Sequence, residues 1–260
     1  MKIKITEAQY NMLSETRESQ KDLELLSFHI MKRLFINPTV VLGGVFRITD
    51  LKQSDVSLNG LDFIRQFGKL RIHLVDSSLP TMYDSSVDGL YNTNRGKILI
   101  MVHDNVEVDK SNFRRFESAL LHELQHAYDD WRSNGKALAQ SDEYVDLSKR
   151  VTVIKKAYKE LSEEDKQLIN KYRKLYYNLK HEVDARFTEA IKKTSFYQWL
   201  PDDNFNMEAV PYNKCLETFT NNFEHYNMLK PSEKNRVIKR FSKIYVLEKE
   251  AIDLLNPYID

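Results

Sequence analysis

In the stretch Leu120–Arg132, LLHELQHAYDDWR, two histidines, His122 and His126, stand four positions apart, and Glu123 directly follows the first. On a helix, residues i and i+4 share a face, with Cβ atoms about 5–6 Å apart. Two imidazoles so placed can hold one ion, and zinc takes histidine nitrogen at about 2.0–2.1 Å. Glu123 lies about 100° round the helix from His122. From there its carboxylate is not expected to ligate. It can instead take the proton of an attacking water, which is why this chemistry needs a glutamate at that position. Zinc lowers the pKa of water toward ~7, and a nearby carboxylate completes a nucleophile at neutral pH. The spacing therefore predicts one catalytic zinc, with His122 and His126 as ligands and Glu123 as general base.

Catalytic zinc sites use three protein ligands and keep a fourth position for water. Glu182, within NLKHEVDARFTEA, is the preferred third ligand. The pattern puts it in the middle of a long helix, where Leu179 and Val183 on packed faces would direct its carboxylate inward. Asp129, Asp130, His181 and His225 are rivals. Asp129 and Asp130 share the metal helix, and either fits better as acceptor of a ligand histidine's other N–H, which fixes its tautomer. His181 adjoins Glu182, so both cannot point the same way on one helix.

The metal helix needs an apolar back. From about Ser111, Phe113, Phe116, Leu120, Leu124, Ala127 and Trp131 recur at steps of three and four, one face distinct from that of the histidines. Asn134-Gly135 is its stop signal. Before it, Thr6 and Gln9 fit a capping box, and helical character runs, with a break near Ser14, to Phe35; Asn37-Pro38 ends it. TVVLGGVFRI reads as strand with a Gly-Gly irregularity, and Leu70–Asp76 as an alternating strand. A hairpin follows, with arms near Gly89–Tyr91 and Lys97–Val102 and NTNRG as its turn.

After the metal helix the chain reads as helices. One runs from Asp142 to Glu160. A long one runs from Ser162 to Lys193, with Leu168, Tyr172, Leu175, Leu179, Val183, Phe187 and Ile191 as apolar positions. Two more cover roughly 205–228 and 232–254, with Pro231 between. Helix, strands, then helices is an α+β order. The expected division is an N-terminal helical segment over 1–38, a catalytic domain over 39–200 and a C-terminal helical segment over 201–260.

Composition excludes several alternatives. The 260 residues are 42% hydrophobic and 30% charged, which suits a soluble globular chain with a real core. The 39 basic and 38 acidic residues leave a formal charge of +1, so nucleic acid is not an expected partner. Lys230, Lys234, Arg236, Lys239, Arg240 and Lys243 read as a solvated face in front of Val237, Ile238, Phe241, Ile244 and Tyr245. The single cysteine, Cys215, excludes an internal disulfide and any zinc site of several thiolates, and reads as a small buried residue. MKIKITEAQY lacks an apolar signal core, and the longest strongly apolar run, Ile98–Val102, is far short of a membrane span. An intracellular, cytoplasmic and reducing location is expected, although a virion product would look the same. Phosphate-binding glycine loops, nucleophile elbows and dinucleotide fingerprints are absent from the sequence.

HELQHAYDDWR resembles the metal helix of the mitochondrial ATP-synthase assembly peptidases, whose pattern is close to H-E-L-x-H-A-Y-D-x-x-R. His122, Glu123, Leu124, His126, Ala127, Tyr128, Asp129 and Arg132 fit it. The family's later E-[IV]-R-A segment is similar to Glu182, Val183, Asp184 and Ala185, with Asp184 where the family has a basic residue. The family's several cysteines have no counterpart beyond Cys215. The matching patches cover under a tenth of the chain. More widely, the chain resembles gluzincin-type zinc peptidases, with two histidines on one helix and a glutamate on another.

The resemblance implies a zincin-like fold and a zinc metalloendopeptidase that hydrolyses protein or peptide substrates. It implies His122, His126 and Glu182 as ligands and Glu123 as base. A Tyr or His would stabilise the oxyanion, and Tyr176, Tyr177, His225 and Tyr226 are candidates. In such folds an edge strand above the cleft pairs with extended substrate. Either hairpin arm could be that edge, with KILIMV better read as a buried central strand. The alternative is a non-catalytic structural or interaction protein on a zincin fold, with a phage virion or assembly role, since MKIKITEAQYNML has the character of phage and bacterial reading frames.

Overall fold

The computed structural model describes residues 21–32, 45–47, 70–76, 89–92, 96–102, 110–133, 141–157, 161–199 and 207–255. The chain is mixed α+β, mostly helical with a small sheet. It divides into two compact units, Met1–Trp131 and Arg132–Asp260, each with its own core.

The first unit holds helix α1 (21–32) and strands β1 (Val45–Arg47), β2 (Arg71–Asp76), β3 (Gly89–Asn92) and β4 (Lys97–Val102). The sheet order is β1-β2-β4-β3. β1 is antiparallel to β2, β2 runs parallel to β4, and β3 returns antiparallel to β4 with Gly89 opposite Ile100 and Asn92 opposite Lys97. Alternation explains the pairing: Ile72, Ile98 and Ile100 are fully buried while Arg71 is exposed. KILIMV is thus the central strand, as its composition suggests, and β3 is an edge among the described residues. Gly96 closes the hairpin at φ 54, a left-handed conformation that favours glycine.

Helix α2 (Lys110–Arg132) carries the histidines. Its Phe116, Leu120, Leu121, Leu124 and Ala127 pack with Ile72, Ile98 and Ile100 of the sheet and with Leu23, Leu26, Ile30 and Met31 of α1. The expected apolar stripe holds up to Ala127, with Phe113 half-buried against it. Trp131 departs from it: at 43% exposure it lies outside the core, near Tyr128. Burial also spreads beyond the stripe, to Glu117, Ser118, Glu123, Gln125 and His126. The middle of this helix therefore has polar groups inside, unlike a two-faced surface helix. The capping box at Thr6–Gln9, the break at Ser14, the helix end at Phe35–Pro38, the Gly43-Gly44 irregularity and the Asn134-Gly135 stop lie outside the described residues.

The second unit runs α3 (Asp142–Ala157), α4 (Glu163–Tyr176), α5 (Lys180–Lys193), β5 (Tyr197–Trp199), β6 (Met207–Ala209), α6 (Tyr212–Asn222), a 3-10 turn (Tyr226–Met228) and α7 (Pro231–Leu255). Ser162 starts α4 with a reciprocal capping box to Asp165. The expected single helix from Ser162 to Lys193 is two helices. Leu179 is extended (φ −64, ψ 134), and Asn178 holds the break. The Asn178 amide donates to the Lys174 carbonyl at 2.7 Å and the Met228 carbonyl at 3.0 Å, and its oxygen accepts from the Lys230 N–H at 2.7 Å.

The expected helix over 205–228 is also corrected. Met207–Ala209 instead pairs antiparallel with Tyr197–Trp199. Pro211 then opens α6, proline being suited to helix starts and forcing the preceding residue out of the α region. The core of this unit joins Val183, Phe187 and Ile191 of α5 to Cys215 and Phe219 of α6 and to Val237, Phe241 and Ile244 of α7. Phe219 stacks on Phe241 with ring centroids 4.6 Å apart. The basic stretch is not wholly solvated. Arg236 and Arg240 both donate to Asp184 Oδ1, at 2.7 and 2.6 Å. Among the described residues no helix is long and apolar enough to cross a membrane.

Candidate metal centre

The i, i+4 geometry of α2 brings the Nε2 atoms of His122 and His126 to 3.1 Å, with ring centroids 4.7 Å apart and planes nearly perpendicular at 86°. Two nitrogens bonded to one tetrahedral zinc at about 2.0–2.1 Å would stand about 3.3 Å apart. The observed spacing is within a few tenths of that. His122 is half-buried and His126 buried, so the pair is not a solvated decoration.

Glu123 is buried beside them. Its side chain lies against strand β3: a Cβ added to Gly89 would come within 3.0 Å of Glu123 Cγ and 3.2 Å of Oε1. Two residues along the same strand face, Tyr91 donates its hydroxyl to Asp130 Oδ2 at 3.0 Å. Burial, then this hydrogen bond to a carboxylate, raises the Tyr91 phenol above its ordinary value. The Gln125 amide donates to Asp129 Oδ1 at 3.0 Å. The hydrogen bonds of Asp130 and Asp129, weighed above as partners of a ligand histidine, run here to Tyr91 and Gln125.

In the second unit Glu182 lies in the first turn of α5, not in mid-helix. A carboxylate in a first turn benefits from the dipole of the helix N-terminus. Glu182 is buried, as is His181, whose Nε2 is 3.8 Å from Glu182 Oε1. The Glu182 charge also bears on Tyr144, Tyr177 and Arg186. Arg186, one turn on, pairs with Glu224 and sits 5.0 Å over the Tyr177 ring.

The four oxyanion candidates all belong to this unit. Tyr176 stacks with Tyr172 and Tyr144, whose hydroxyls are 3.0 Å apart. Tyr177 stacks on His225 at 3.9 Å, and His225 Nε2 lies 3.1 Å from Glu224. His225 holds a left-handed φ of 61, uncommon for a residue with a side chain. Burial lowers its pKa, and the Glu224 charge works against that. Tyr226 stands apart, against Phe223 and under the Lys234 ammonium.

His122, His126 and Glu182 are donors of the types that hold zinc, the first two in one unit and Glu182 in the other. Gly89, Tyr91, Arg186 and Glu224 were not singled out from sequence. For Gly89 a signal existed, since a glycine within a strand often marks a close approach. No family model matches the chain, nor does any curated protein or solved structure.

Proposed function

We propose that this chain is a zinc-dependent endopeptidase with a zincin-like catalytic arrangement, in which His122, His126 and Glu182 hold one zinc and Glu123 is the general base. The supporting observation is the 3.1 Å between the two Nε2 atoms, close to what two ligands of one tetrahedral ion require. Without an ion, one of these nitrogens must carry the proton between them; with one, both present lone pairs to it.

Zinc, when bound, would polarise a carbonyl and acidify water. The remaining steps belong to this chain's residues. Buried Glu123 would take the proton from the attacking water and return it to the leaving amine. Strand β3, an edge among the described residues, would offer its backbone groups to an extended peptide. The experiment is zinc analysis of the purified protein together with casein cleavage by wild type and Glu123→Gln. Stoichiometric zinc, and cleavage reduced in the variant to a small measurable residue, are expected. Equal cleavage by both would sink the mechanism, and stoichiometric zinc without cleavage by wild type would favour the non-catalytic alternative.

A further inference from the structure

We infer that Gly89 is a positioning residue for Glu123: the missing side chain on the edge strand leaves the space in which the Glu123 carboxylate is held. The inference rests on the reading of Glu123 as the base and adds a residue to that site.

The argument begins with why a glycine stands there. A left-handed backbone does not require it, since among the described glycines only Gly96 has a positive φ. The backbone of α2 does not require it either, since an added Cβ would meet the Ala119 carbonyl at 3.5 Å, an ordinary contact. The tight contacts are both to one side chain, 3.0 Å to Glu123 Cγ and 3.2 Å to Glu123 Oε1. A methyl at this position would therefore press on Glu123.

The strand is poorly placed to retreat. Gly89 pairs with Ile100 of the central strand, and Tyr91 on the same face is tied to Asp130 of α2. The helix is held by Leu120, Leu121 and Leu124 in the core. With both walls fixed, the Glu123 side chain is what gives, by rotating away from β3. Such a shift, confined to one side chain, moves the base off its line. Misplacement of a reacting group by about 1 Å costs on the order of 100-fold in rate, so a shift of a few tenths of an ångström is expected to cost severalfold.

The test compares full-length wild type, Gly89→Ala, Glu123→Gln and the double variant. Zinc content, melting temperature, KM and kcat on one peptide substrate are measured. The Glu123 side-chain carboxyl resonance is followed in zinc-free, 13C-glutamate-labelled protein, assigned by its loss in Glu123→Gln. Gly89→Ala is expected to keep zinc, melting temperature and KM, to lose roughly 2- to 10-fold in kcat, and to move the resonance. In the Glu123→Gln background the same substitution is expected to cost nothing more. An unmoved resonance, or an equal fold-loss in both backgrounds, overturns the inference. If wild type cleaves nothing, the peptidase reading fails separately, and the resonance alone decides whether Gly89 places the carboxylate.

Discussion

Tyr91 donates its hydroxyl to Asp130 Oδ2 at 3.0 Å and so ties the edge strand β3 to the helix that carries His122, Glu123 and His126. Removing that hydroxyl with Tyr91→Phe keeps the ring and breaks the tie. A hydrogen bond to a charged group contributes about 1.5–3 kcal/mol, and this one is half-exposed, so a loss of about 1–2 kcal/mol is expected in urea unfolding at pH 7. The pH dependence has a definite sign. The folded phenol titrates above its ordinary 10.0, so above that pH the unfolded chain loses a proton that the folded chain keeps. The stabilisation is fully present below pH 10 and falls as pH rises beyond it. Tyr91→Phe should therefore lose stability less steeply than wild type above pH 10. Parallel slopes would show that Tyr91 does not carry the effect.

Asn178 holds the break between α4 and α5 through three hydrogen bonds, to Lys174, Met228 and Lys230. Asn178→Ala removes all three. At about 1 kcal/mol each, less what water recovers at this half-buried position, a loss of about 1–3 kcal/mol is expected. The break places Glu182 in a first turn, so if Glu182 holds zinc as proposed, the variant should also weaken zinc binding. Unfolding in urea and a zinc titration check the two halves. A variant as stable as wild type would assign the break to local sequence alone.

That break shows where the sequence is legible and where it is not. Helix α2, β2 and the hairpin follow from periodicity and turn residues, which act over neighbouring positions. The helix from Ser162 to Lys193 is just as periodic, since Val183, Phe187 and Ile191 continue the spacing of Leu168, Tyr172 and Leu175. Two of the three bonds that Asn178 makes at the interruption run about 50 residues away, to Met228 and Lys230, and no local pattern encodes a distant partner. Asp184 teaches the same lesson. In sequence it is a departure from the assembly-peptidase pattern. In the fold it accepts from Arg236 and Arg240, over 50 positions on, which also removes two cations from the supposed solvated face. The histidine pair is legible because its geometry is set by one helical turn, and the role of Gly89 is not, because its neighbour Glu123 comes from another element.

Cys215 should make the protein sensitive to alkali. Burial pushes its thiol from 9.0 up to about 11. The unfolded chain therefore deprotonates first as pH rises, and the stabilisation is present below pH 9 and lost between 9 and 11. At about 1.4 kcal/mol per unit, the loss across that window is about 2–3 kcal/mol. Cys215→Ala should be less stable at pH 7, from the cavity it leaves beside Phe219, yet flatter between pH 9 and 11. Denaturant midpoints across that range check it. A variant with the wild-type pH slope would remove the thiol from the account. The native thiol should also resist alkylation at neutral pH, because the thiolate is the reactive form.

The proposed ligand set makes the most exposed prediction. His122→Ala and His126→Ala each remove one of two nitrogens 3.1 Å apart, and each should abolish stoichiometric zinc after dialysis. The drop in affinity should exceed the about 10- to 100-fold that loss of a mere supporting hydrogen bond costs. Because zinc takes neutral imidazole and ionised carboxylate, binding releases protons, and retention should weaken as pH falls. Glu182→Ala separates the alternatives for the third place. If Glu182 is a ligand, the variant loses zinc as the histidine variants do, and Glu182→Gln, which keeps the shape but not the charge, loses most of it too. If Glu182 is instead a buried carboxylate balanced by Arg186, zinc stays and only stability falls, because the arginine is left without that charge. Zinc per chain and melting temperature, read together, tell these apart. Full zinc retention with lowered melting temperature would pass the third place to Asp129, Asp130, His181 or His225.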